Sequence, residues 1–174
     1  FVIVYDFAYS DVYFENNKPP SLLASDKNLK HSGELYSLPK GYSMAGWRVG
    51  FAVGNSDAVG ALTKLKSYID YGTFQPIQIA STVALNELDD YPFELSTVYK
   101  ERRDLVQEYL EDLEFIVQES DATMFVWAKL PKRFNKDSLK FSLDILEKSN
   151  VAISPGIGFG KFGEGHIRIA LVEN

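Results

Sequence analysis

The opening run FVIVY, Phe1 to Tyr5, is apolar at every position and rich in β-branched residues. A strand with one wet face alternates, so a run without alternation predicts a strand buried on both faces, as in a parallel sheet flanked by helices. That narrows the fold to layered α/β architectures. A truncated central strand would leave ladder partners unpaired, so this start also predicts that further chain precedes Phe1. Residues 15–33 are polar with Pro and Gly and read as loop. Glu34 to Leu38 and Gly46 to Val53 read as further strands. A helix begins near Ser56, its expected N-cap, with Asp57 suited to the helix dipole. Val59, Leu62, Leu65 and Ile69 space its apolar face. A second helix runs from Pro76 to Leu88, and a third from Phe93 to Asp112 with Val98, Leu105, Tyr109 and Leu113 on its apolar side. Strand TMFVWAKL, a helix over 137–149, strand VAISPG, a Gly-rich loop and strand HIRIALV follow. The expected division is 1–90 and 91–174.

Composition excludes several classes. Net charge is −6, which argues against a nucleic-acid or membrane-surface binder but leaves room for a small anionic ligand held by two or three local cations. With no cysteine and only His31 and His166, neither disulfides nor thiolate or histidine metal clusters are expected. A reducing compartment, the cytoplasm, fits. No run of about 18 apolar residues is present, so no membrane helix is expected.

Chemistry concentrates in YSLPKGYSMAGWRVGF, Tyr36 to Phe51. Lys40 follows Pro39, which should hold Leu38 extended, and precedes Gly41, which lets the backbone turn tightly. Ser37 and Arg48 offer a neutral and a cationic donor to a phosphate, with Arg48 placed in a buried strand. An amine fixed beside a phosphate site suits condensation with a phosphate-bearing aldehyde. A solvated loop lysine is the other reading. Asp6 ends the first strand, where side chains of parallel strands face the ligand crevice. It either meets a cation, such as a protonated pyridine nitrogen, or caps a turn. Tyr9 either sets a phenol beside the same ligand or packs in the core. Arg168, between Ile167 and Ile169, either binds an anion such as a carboxylate or faces water from an edge strand. The loop SPGIGFGKFGEG reads equally as a mobile entry loop or a plain turn. Tyr68, Tyr71 and Phe74 line a pocket or simply pack.

SLPKGYSMAGWRVGF, YDFAYSDVYF and SPGIGFGKFGEGHIRIALVEN together resemble, in order, three motifs of the class I/II aminotransferases, pyridoxal-phosphate enzymes of fold type I. The resemblance implies an α/β fold: the end of the large mixed-sheet domain over 1–90, then the small C-terminal domain over 91–174. It implies that Lys40 bonds the cofactor's aldehyde and then acts as general base. Asp6 would hold the pyridine nitrogen protonated, Tyr9 would bond the ring hydroxyl oxygen, Ser37 and Arg48 would bind the phosphate, and Arg168 the substrate α-carboxylate. Pro39 departs from the Ser or Ala that many members carry before the lysine. Members have roughly as much chain again ahead of this start, holding a phosphate turn, a ring-stacking aromatic and an Asn. The chain by itself is therefore expected to be inactive, and the full-length protein a homodimer acting on amino acids and 2-oxo acids. KSYIDYGTFQPIQIASTVAL and MFVWAKLP are most similar to the alanine (glutamate–pyruvate) branch, with aspartate and diaminopimelate aminotransferases as alternatives. A cofactor-binding sensor domain of a transcription regulator is the alternative of another class.

Overall fold

The computed structural model describes residues 1–15, 18–134 and 137–173, which form two compact units, Phe1–Ser96 and Thr97–Asn174. In the first, β1 (Ile3–Asp6), β2 (Ser32–Ser37) and β3 (Gly50–Gly54) make a mixed sheet in the order β1-β2-β3. β1 runs parallel to β2, with Asp6 beside Leu35, and β3 is antiparallel to β2, with Ser37 beside Gly50. Glu34 is buried and fastens the preceding loop to β2, its carboxylate accepting from Ser21 Oγ at 2.9 Å and from the Leu22 and Leu23 amides.

The expectation of a strand buried on both faces fails for this chain. β1 is an edge strand with only β2 beside it, and Val4 is 63% exposed. Apolar sequence states what a strand tolerates; burial also requires a layer to cover it. Leu38 is not extended. It begins the single helical turn α1 (Leu38–Gly41), because Pro39 falls in the first turn, where a missing N–H breaks no bond. The extended residue is Ser37, at φ −137°, ψ 110°.

Helices α2 (Ser56–Ile69) and α3 (Gln75–Glu87) follow β3. The cap of α2 is Asn55 rather than Ser56: its Oδ1 accepts from the Ala58 amide at 2.9 Å while its Nδ2 donates to the Lys30 carbonyl. Asn55 thus satisfies an orphan helix donor and anchors the loop at once. No residue of α2 is buried, so its apolar face lies uncovered in this chain.

Helix α4 (Tyr91–Asp112) crosses from one unit into the other. Its buried side carries Pro92, Ser96, Tyr99 and Leu110, not Val98, Leu105, Tyr109 and Leu113, all of which are exposed. Polar groups occupy that buried side because backbone acceptors meet them. Ser96 Oγ donates to the Asp11 carbonyl at 2.9 Å, and Arg103 Nη1 to the Ser120 carbonyl at 2.5 Å.

The second unit is an antiparallel sheet ordered β4-β5-β7-β6, with β4 Ile116–Val117, β5 Phe125–Lys129, β6 Ser154–Pro155 and β7 His166–Ala170. Helix α5 (Ser138–Ser149) packs on it. β5 alternates as a half-buried strand should: Val126 and Ala128 are buried, opposite Ile169 and Ile167 of β7. Expected strand VAISPG shrinks to two residues.

Candidate active site

The register of the first sheet brings most of the candidate residues to one end. β1 and β2 are parallel, so Asp6 and Ser37, their last residues, share the carboxyl end; β3 is antiparallel and begins there. Asp6 pairs with Leu35, and Ser37 lies two residues farther on, about 6–7 Å along the strand. Arg48 lies two residues before β3, not inside it, with left-handed backbone (φ 52°, ψ 48°) and an exposed side chain. The turn Ala45–Trp47 reverses the chain ahead of β3, and the Arg48 Nη1 donates back to the Ala45 carbonyl at 3.3 Å.

Lys40 belongs to α1, whose other three residues, Leu38, Pro39 and Gly41, are buried. The lysine is half-buried, and its Nζ lies 5.6 Å from the centre of the Tyr9 ring, within cation–π range. Two consecutive turns, Ser10 N to Phe7 O and Val12 N to Tyr9 O, carry the chain from β1 and set Tyr9 there. Among the described residues, the Asp6 carboxylate, the Ser37 hydroxyl and Lys40 Nζ have no hydrogen-bond or ion-pair partner.

Sequence reasoning missed Asp11. Its carboxylate accepts from the Tyr36 hydroxyl, and it packs against Gly41, the residue after the lysine. Burial first, then the Asp11 bond and charge, push the Tyr36 hydroxyl above its ordinary value. Nothing in the pattern Y-S-D-V-Y distinguishes a partnered, half-buried carboxylate from any other loop aspartate; only the fold brings Tyr36 to it.

In the second unit, the Arg168 side chain on β7 lies among aromatic rings. Its guanidinium carbon is 4.2 Å from the Phe125 ring centre and 4.3 Å from that of Phe159, and its Nε is buried with no hydrogen-bond partner among the described residues. The Gly-rich segment is two short turns, Gly156–Phe159 and Lys161–Gly163, that touch backbone to backbone. A Cβ on Gly156 would lie 2.0 Å from the Gly163 oxygen, so only glycine fits. Tyr68, Tyr71 and Phe74 are exposed in this chain and pack in no core.

A lysine turn at the carboxyl ends of parallel strands, with a carboxylate, a hydroxyl and a guanidinium at the same sheet end, matches a known class. Residues 1–173 match the family described as aminotransferase class I and II, and the chain belongs to that family. It is 47% identical over 166 residues to an LL-diaminopimelate aminotransferase of Natranaerobius thermophilus, spanning 95% of this chain and 42% of that protein. It is 41% identical over 174 residues to the glutamate-pyruvate aminotransferase AlaC of Escherichia coli (strain K12), spanning 99% of this chain and 42% of AlaC. An aminotransferase structure from Staphylococcus aureus superposes with TM-score 0.90 at 38% identity, over 99% of this chain and 45% of that one. The chain thus spans about two fifths of the length of these relatives, and its α/β architecture, with one mixed and one antiparallel sheet, is that of fold type I. Class I and II aminotransferases depend on pyridoxal phosphate. The groups at the sheet end fit that cofactor: an amine for an aldehyde, a carboxylate for a ring nitrogen, a hydroxyl and an exposed guanidinium for a phosphate. No helix among the described residues is long and apolar enough to cross a membrane.

Proposed function

We propose that the whole protein moves an amino group between an amino acid and a 2-oxo acid, with alanine and glutamate as its amino-acid pair, as a cytoplasmic homodimer. In this reading residues 1–90 belong to the cofactor-binding domain and 91–174 form the small domain. The observation that carries the reading is Lys40. Its amine lies against Tyr9 with no ion-pair partner among the described residues, at the sheet end that also presents Asp6, Ser37 and Arg48.

Bound pyridoxal phosphate supplies an aldehyde and a ring that accepts the charge left when a substrate α-proton departs. Lys40 is the residue that would hold the cofactor through its aldehyde, and its Nζ would take up and return the substrate α-proton. The Asp6 carboxylate would keep the ring nitrogen protonated, because an opposite charge favours the charged form. Tyr9 would bond the ring oxygen, Ser37 and Arg48 would hold the phosphate, and Arg168 would take the α-carboxylate. AlaC, at 41% identity, supports alanine and glutamate as the pair; the diaminopimelate relative, at 47%, makes LL-diaminopimelate the competing donor, with aspartate a third.

The test is reconstitution of the whole protein with pyridoxal 5′-phosphate, wild type against Lys40→Ala. We expect a visible band and turnover of L-alanine with 2-oxoglutarate in the wild type, and neither in the variant. Rates with LL-diaminopimelate and L-aspartate rank the donors. Colour without turnover of any donor identifies a sensor domain and overturns the enzymatic reading. For the 174-residue chain alone we propose covalent labelling without turnover.

A further inference from the structure

We propose that Asp11 and Tyr36 are a positioning pair that holds the Lys40 turn in place. The inference rests on the reading of Lys40 as the cofactor-bonding amine. It goes beyond that reading by naming what keeps the amine where it is.

The contacts close a ring. Tyr36 stands on β2, four residues before Lys40, with its ring stacked on Phe51 at 4.8 Å. Its hydroxyl donates to Asp11, and burial together with that bond keeps the hydroxyl protonated and so a donor. The backbone of Asp11 is pinned from another side, its carbonyl accepting from Ser96 Oγ at 2.9 Å, with Ser96 buried. From this fixed seat Asp11 presses on Gly41. A Cβ at Gly41 would stand 3.0 Å from Asp11 Oδ2 and 3.1 Å from Asp11 Cβ, so the aspartate fills the space any larger residue would need. The same pair of turns that places Asp11 under Gly41 places the Tyr9 ring under Lys40 Nζ.

This arrangement answers a mechanical problem. α1 is one turn long, and a single turn is costly to nucleate and frays in isolation. A covalent anchor must present its amine in one place, because misplacement by about 1 Å can cost on the order of a hundredfold in rate. Burying Leu38 and Pro39 holds the start of the turn; Asp11 holds its end, directly after the lysine. The role is steric and hydrogen-bonding rather than one of charge. An asparagine of the same shape, accepting from the same hydroxyl, should therefore serve.

The experiment is covalent labelling of the 174-residue chain with pyridoxal 5′-phosphate, borohydride reduction and peptide mapping. The other lysines report background reactivity, and amide exchange at Tyr42, whose N–H closes α1 on the Leu38 carbonyl at 2.9 Å, reports the turn. We expect wild type to label at Lys40 in preference to other lysines. Asp11→Ala and Tyr36→Phe should lower the Lys40 share on the order of tenfold and speed Tyr42 exchange, with label elsewhere unchanged. Asp11→Asn should label as wild type. If Asp11→Ala does not fold, Tyr36→Phe, which keeps the ring and loses one hydroxyl, carries the test. Selective Lys40 labelling undiminished in Tyr36→Phe or in folded Asp11→Ala overturns the positioning role alone. Loss of labelling in Asp11→Asn equal to that in Asp11→Ala overturns it too, by making charge the cause. No preference for Lys40 in wild type overturns the cofactor reading as well.

Discussion

The Arg168 guanidinium lies over the rings of Phe125 and Phe159, which offer it a favourable quadrupole but no hydrogen-bond acceptor of the ordinary kind. A buried donor left unpaired costs about 1–3 kcal/mol, more when charged, so the unpartnered Nε calls for an anion arriving from outside the described contacts. A carboxylate bonded by two parallel N–H groups is the natural occupant. In the reconstituted whole protein, Arg168→Leu should weaken amino-acid binding by about 2–5 kcal/mol, the cost of removing one partner from a buried charge pair. Arg168→Lys should not restore it, because an ammonium lacks the planar fork. Titrating L-alanine against the cofactor's absorbance reads the affinity, and an unchanged midpoint would sink the assignment. Arg168 could be singled out in sequence as a charge between two isoleucines. Asp11 could not, since it lies in a turn and its partner is 25 residues away on β2.

The start of α5 shows how an element borrows its end from elsewhere. Asp137, the first residue of the expected helix, caps it in the usual way, Oδ1 accepting from the Lys140 amide at 2.9 Å. A second cap comes from farther along the chain. Glu164, from the turn before β7, accepts from the Ser138 amide at 2.7 Å and the Gly165 amide at 2.9 Å, and Ser138 Oγ in turn accepts from Ile157. These backbone bonds, Ser138 first, hold the Glu164 carboxyl below its ordinary value of 4.5. A depressed folded-state value means the contribution to stability is present above the unfolded value and is lost as pH falls through the folded one. We therefore expect wild type to melt above Glu164→Gln at pH 7, and the gap to close progressively below pH 4.5. A gap independent of pH would show that the charge on Glu164 does not matter. Elements in general were legible where a local device marks them and illegible where the partner is remote. The start of α2 and both ends of α3 lie within a residue of expectation, because capping and proline rules act over one turn. The buried side of α4 was misread because Ser96 and Arg103 are polar by composition, yet face inward to carbonyls that only the fold supplies.

Taken as a whole molecule, the first unit carries apolar faces that match the periodicities read from sequence and that nothing in this chain covers. Leu65 is 57% and Ile69 68% exposed on α2, with Tyr71 at 91% and Phe74 at 70% in the link to α3. On the sheet, Ile3, Val4, Phe51 and Val53 are also exposed. Proteins that persist as monomers rarely leave contiguous apolar patches beyond a few hundred Å². The hydrophobic term favours removing such surface from water by about 25 cal/mol per Å², so two copies gain by covering one another even without a shaped interface. We expect the 174-residue chain to enhance the emission of an apolar dye such as anilinonaphthalene sulfonate and to associate with rising concentration in sedimentation velocity. Leu65→Lys with Ile69→Lys should reduce both. Because neither residue is buried, the double variant should cost no more than about 0.5 kcal/mol per site in stability. The sign separates two uses of the same residues: if these positions were core, the lysines would unfold the unit, whereas on an uncovered face they leave it folded and less sticky. A wild-type chain that stays monomeric and dye-silent at high concentration would mean these faces are covered within the chain itself.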